Sequence, residues 1–169
     1  MENPELIGLL YSCGSMKSKN IIEIQTKRKE LAELICELTT LANMKTGSRG
    51  YSIQVTGKNL IKNFGIDKTK IPDLKNEEER IGFLRGFFEG KSSISIVTRI
   101  IRMSGKKEQL EKIKKLLDSE NVDSIIYQNG NYYSLYIEGK NRCEVFRDKI
   151  GFLTKEKKNK LDKLISFGI

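Results

Sequence analysis

The chain alternates between two hydrophobic periods. Residues 21–27, IIEIQTK, place apolar side chains at every second position and predict a strand, whereas RKELAELICELTTLA at 28–42 repeats them at i, i+3 and i+4 and predicts an amphipathic helix. YSIQVTGKN at 51–59 reads as a strand, a turn and the start of a helix. The second half follows the same order. SSISIV (92–97) and RIIRMS (99–104) predict strands, KKEQLEKIKKLLDS (106–119) a helix, and SIIYQ, NG and NYYSLYI (124–137) a hairpin turning at Asn129-Gly130. Two helix starts carry capping chemistry: Asn3 followed by Pro4, and Asn76 followed three residues later by Glu79.

The two halves also share sequence. YSIQVTGKN matches YSLYIEGKN at 133–141, with identity at Tyr51/Tyr133, Ser52/Ser134, Gly57/Gly139, Lys58/Lys140 and Asn59/Asn141. LIGLLYSCGS at 6–15 aligns with LRGFFEGKSS at 84–93. The predicted organisation is therefore a first repeat over 1–66, a linker over 67–76 containing Pro72, and a second repeat over 77–169.

Within the aligned helices the third and seventh positions are small: Gly8 and Ser12 in one, Gly86 and Gly90 in the other. Residues four apart share a helical face, so each helix offers a strip on which another backbone can approach closely. The cheapest partner is the counterpart helix across a pseudo-twofold axis. Phe83, Phe87 and Phe88 are assigned to the core.

On these motifs the chain resembles the LAGLIDADG homing endonucleases of the single-chain, two-repeat kind, with IGFLTKEKKNKL at 150–161 resembling the end of a repeat. The resemblance implies an α+β fold of two pseudo-symmetric αββαββα-like repeats. Their motif helices would pack at the repeat interface, and antiparallel sheets would form a saddle over duplex DNA. It also implies an acid at the eighth motif position of each helix, holding a divalent metal at the scissile phosphates. This sequence has Cys13 and Lys91 there.

Magnesium needs hard oxygen ligands; a thiol is soft, and an ammonium cannot coordinate it and repels it. The sequence contains no histidine, which removes an imidazole base or ligand. No catalytic residue and no cofactor are therefore assigned, Mg²⁺ entering only if residual nuclease activity persists. Glu89, two residues before Lys91, lies about 200° around the helix from it.

Charge makes binding the better expectation. A net charge of +9 creates a field that favours polyanions. Strand parity turns Glu23, Gln25, Lys27, Ser52, Gln54 and Thr56 outward in the first repeat. Lys17 and Lys19 join them as phosphate contacts, with Lys91 near the centre of the DNA site. In the second repeat the candidates are Ser93, Ser95, Arg99, Arg102, Gln128, Tyr132, Ser134 and Tyr136. Arg99 and Arg102 are three apart and cannot share one face of a regular strand, so the register there stays open.

The expectation is a non-cleaving double-stranded-DNA-binding protein, regulatory or architectural, and monomeric with internal symmetry. Three alternatives remain: a residual metal-dependent nickase, an RNA-binding splicing helper of the maturase kind with structured RNA as partner, and a protein-interaction module. The three cysteines lack CxxC spacing and suggest reduced thiols. No apolar run reaches a membrane-spanning length and no signal peptide is recognisable at the N-terminus, so a cytoplasmic location without membrane partners is expected.

Overall fold

The computed structural model describes residues 3–57 and 70–168. The first repeat contains α1 (Pro4–Cys13), β1 (Gly14–Ser18), β2 (Ile21–Thr26), α2 (Lys29–Leu38), β3 (Ala42–Gly47) and β4 (Gly50–Thr56). The second contains α3 (Glu77–Lys91), β5 (Ser93–Ser95), β6 (Ile100–Gly105), α4 (Lys107–Ser119), β7 (Ile125–Asn129), β8 (Tyr132–Glu138), α5 (Lys140–Lys149) and α6 (Lys155–Ser166). Each repeat builds one four-stranded antiparallel sheet, in the orders β1-β2-β4-β3 and β5-β6-β8-β7. The predicted turn-to-helix start at Lys58 and Asn59 and the first part of the predicted linker lie outside the described residues.

Both expected caps form. Asn3 Oδ1 accepts the Leu6 amide at 3.1 Å with Pro4 at the first helical position, and Asn76 Oδ1 accepts the Glu79 amide at 2.9 Å. The Glu79 carboxylate takes the Lys75 amide at 2.8 Å, one residue earlier than in a standard capping box. The first amphipathic helix is shorter than its periodicity predicts, ending at Leu38. Thr39 leaves the helix with extended backbone, and its hydroxyl accepts the Leu41 amide at 3.1 Å. The chain then forms β3, a strand that the αββαββα resemblance implies but that the hydrophobic pattern did not locate.

Ile22, Ile24, Ile53 and Val55 from the first sheet, and Ile101, Met103, Leu135 and Ile137 from the second, enter one continuous core with the helices. α2 covers one face of the first sheet and α4 one face of the second, and among the described residues no helix covers the opposite faces.

α1 and α3 form the most extensive helix contact among the described residues, and they touch through backbone. A Cβ on Gly8 would meet the Phe83 carbonyl and come within 2.7 Å of the Phe87 amide. On Gly86 it would strike the Glu5 carbonyl, and on Gly90 the Ser12 hydroxyl. Gly82, one turn before Gly86, extends the strip to Pro4, whose Cγ lies 2.7 Å from that glycine's Cβ position. Charge reinforces this crossing where Arg85 Nη1 meets Glu5 at 2.7 Å. Gly86→Ala is expected to destabilise the fold by about 3 kcal/mol, because backbone opposes backbone and no side chain can yield. Urea unfolding of the variant measures that loss.

Candidate nucleic-acid interface

The uncovered face of the first sheet carries Ser15 and Lys17 on β1, Glu23 and Gln25 on β2, Asn43 and Lys45 on β3, and Ser52, Gln54 and Thr56 on β4. Glu23 is only 6% exposed because neighbouring polar side chains close over it. Lys17 Nζ donates to Oε2 at 3.0 Å and Ser52 Oγ to Oε1 at 2.8 Å. These two bonds, with a weaker one from Gln54, outweigh desolvation and hold the carboxyl down at about 2. Lys19 sits exposed in the β1–β2 turn, and Lys27 is exposed just beyond β2.

Asn43, Lys45 and the neighbouring turn residue Arg49 were missed with β3. Their sequence signal was the Gly47-Ser-Arg-Gly50 turn before a strand. Lys45, Arg49, Gln25 and Ser52 help line a shallow groove of about 300 Å³ at that edge.

On the second sheet Ser93, Ser95, Arg102, Ser104, Ser134, Tyr136 and Tyr132 share the uncovered face. The register settles the arginine question for Arg102, which pairs across from Ser93 and Tyr136. Arg99 departs from the expectation: it lies in the β5–β6 turn with φ 54°, and its guanidinium reaches the Phe167 carbonyl at 2.6 Å.

Gln128 is a second correction. The turn residues are Gly130 and Asn131, one later than predicted, and even-numbered positions of β8 face odd-numbered positions of β7. Tyr127 therefore stands across from Ser134 on the uncovered face, while Gln128 pairs with Tyr133 on the other. Tyr127 and Tyr136 pack edge to face with centroids 5.1 Å apart, and Tyr132 is 77% exposed. One sheet thus presents amides, lysines and a carboxylate; the other presents tyrosines and an arginine.

The C-terminal ends of α1 and α3 bring Cys13 and Lys91 to the repeat interface. Cys13 Sγ donates to the Leu9 carbonyl at 3.2 Å and lies 2.9 Å from the Cβ position of Gly90. Lys91 is half-buried and donates to Gln109 Oε1 at 3.1 Å. Among the described residues no three His, Cys, Asp or Glu side chains form a group able to hold a metal. The donor set at this foot is a thiol and an ammonium, which does not fit a hard divalent cation.

Glu89 has other work. Its Oε1 accepts Arg28 Nη2 at 2.6 Å and the Thr154 hydroxyl at 2.9 Å, and its Oε2 accepts the amides of Leu153 and Thr154 at 2.8 and 3.1 Å. Those four bonds occupy the carboxylate fully. Arg28 and Glu30 come from the first repeat, and Glu30 takes the amides of Lys155 and Glu156 at 2.6 and 3.1 Å. Lys157, buried, closes the C-terminus of α3 by donating to the carbonyls of Phe88, Glu89 and Ser92. Burial would raise the Glu89 carboxyl, but Arg28, the Thr154 amide and Lys157 together hold it below the usual carboxylate range. Burial pushes Lys157 down to about 8 despite Glu89.

Residues 78–151 match the family profile of the LAGLIDADG-like domain. The homing endonuclease I-DmoI, solved in complex with DNA and Mn, superposes with a TM-score of 0.66 over 88% of this chain and 95% of its own, at 21% identity. The chain has the two-repeat LAGLIDADG fold. Full-length DUF199/WhiA from Thermatoga maritima shares this LAGLIDADG architecture at a TM-score of 0.69 and 17% identity, over 97% of this chain and 60% of that one. Among curated proteins, a DNA polymerase of Thermococcus kodakarensis is 25% identical over 202 aligned residues, covering 96% of this chain. The RNA polymerase subunit Rpo1C of Methanocaldococcus jannaschii is 32% identical over 92 residues, covering 54%. The chain spans only 12% and 11% of the lengths of those two relatives.

Replacing Glu89 by Gln removes the buried charge that faces Arg28 and Lys157 and sets an amide N–H against the donors around it. The change is expected to cost about 3 kcal/mol, with Arg28 keeping Glu156 and Lys157 its backbone carbonyls. The sign with pH follows from a depressed folded-state pKa. The carboxylate's contribution is complete above its unfolded value near 4.5 and declines as pH falls below it, so the wild type loses this stability in acid and Glu89→Gln does not. Urea midpoints of both proteins between pH 3 and 7 measure the difference.

Proposed function

We propose that this chain binds double-stranded DNA through the uncovered faces of its two sheets and does not cleave it, acting as a regulatory or architectural protein. The observation that carries the reading is the combination of two polar sheet faces, free of helix among the described residues, with a foot that carries Cys13 and Lys91 where the family resemblance implies acids. Phosphodiester hydrolysis by a metal requires oxygen ligands beside the phosphate. The four bonds at Glu89 argue against its serving as a substitute.

Binding is favoured by the same two residues. Acids beside phosphates repel them until a metal arrives, whereas Lys91 brings a positive charge and Cys13 no negative one. Lys17, Lys19, Lys27, Lys45, Arg49 and Arg102 extend the basic surface along the sheets. Amide and arginine side chains suit purine edges in the major groove.

Supercoiled plasmid incubated with Mg²⁺ or Mn²⁺ is expected to stay intact while being bound equally well in EDTA; reproducible nicking by the purified protein would overturn the non-cleaving reading. Lys91→Asp is expected to weaken binding and to make the dependence of log affinity on log salt shallower by about one unit. An unchanged slope would remove Lys91 from the contact.

The tyrosines of β7 and β8 favour one second reading, folded RNA, whose unpaired bases stack on aromatic rings. Competition between duplex DNA and structured RNA at several salt concentrations separates the two, and preferential RNA binding would displace the DNA assignment.

A further inference from the structure

We infer that Glu23 is a positioning residue for sequence recognition: it orients Gln25 and Gln54 so that both select adenine. This rests on the duplex-DNA reading above and adds the base that the first sheet prefers.

Four donors converge on the Glu23 carboxylate. Oε1 receives Ser52 Oγ at 2.8 Å and Gln54 Nε2 at 3.4 Å, and Oε2 receives Lys17 Nζ at 3.0 Å and Gln25 Nε2 at 3.2 Å. With two donors on each oxygen, Glu23 has little acceptor capacity left for a cytosine amino group. It therefore acts through its neighbours.

An ionised carboxylate only accepts, so the amide atom facing it must be nitrogen. That requirement fixes both glutamines in one orientation. Each then has its carbonyl oxygen and its second N–H available, the acceptor and donor that pair with N6 and N7 of adenine. Guanine offers two acceptors, N7 and O6, on the same edge, and one of them would oppose the amide oxygen. Lys17, which could otherwise donate to guanine, is held by Glu23.

Register supplies the spacing. Gln25 pairs with Ser52, and Glu23 pairs with Gln54, so the two glutamines are diagonal neighbours. Diagonal positions on a sheet lie roughly 7–8 Å apart, about two steps of a duplex that rises 3.4 Å per base. The selected adenines should fall about two base pairs apart.

Selection from a randomised duplex library, followed by titrations on the winning duplex and its single-base variants, tests this. Wild type is expected to prefer adenine on the order of tenfold at both positions. Gln25→Leu should lose one preference and Gln54→Leu the other. Glu23→Gln should lose both together while overall DNA affinity rises, since one negative charge leaves the surface and Lys17 is released. A loss of structure would lower affinity instead. Glu23→Gln retaining either preference, or wild type binding duplex DNA without adenine selection, would overturn the inference and leave the DNA reading intact. Absence of duplex binding by wild type would defeat both.

Discussion

The structure depends on α1 and α3 crossing so closely that their backbones touch. Gly8 against Phe83, Gly86 against Glu5 and Gly90 against Ser12 leave no room for a β-carbon at the glycines, and this contact joins the two repeats. It also fixes where chemistry could occur. Whatever occupies the last residue of each helix is brought to the same foot, between two sheets whose free faces carry the polar side chains.

The repeats are related but have not stayed equivalent. Glu89 organises a polar clamp that reaches from Arg28 and Glu30 of the first repeat to the start of α6. At the aligned position of the first helix stands Tyr11, buried against Phe83 and pushed by that burial up to about 12. An acid remains near the foot, but it serves as a structural acceptor that ties the halves together. Stability and metal chemistry would compete for that carboxylate, and the four bonds at Glu89 assign it to stability. The sheet faces have diverged in parallel, with an amide and lysine surface on one side and a tyrosine surface on the other.

Much of this was legible in the sequence because it depends on local rules. Small residues four apart announced the helix crossing, Asn3 and Asn76 announced the caps, and period-two alternation placed Glu23, Gln25, Ser52 and Gln54 on one face. Long-range pairing was less legible. β3 was concealed by the preceding helical period, and with it Asn43, Lys45 and Arg49. Gln128 was misplaced because its face depends on the partner register across the turn, and Arg99 because a left-handed backbone turns it towards Phe167. Gly82 followed the same spacing as Gly86 and Gly90 but lay outside the aligned motif. The partners of Glu89 come from segments more than sixty residues away, beyond the reach of helical spacing.

The central claim is that the sheet faces bind duplex DNA without a metal. Equilibrium titration of a duplex with the full chain in EDTA, across a series of salt concentrations, tests it most directly. Five or six phosphate contacts from the basic side chains predict tight binding at low salt and a slope of log affinity against log salt of about −5. Negligible affinity in EDTA at low salt, or affinity that appears only when a divalent cation is added, would contradict the account.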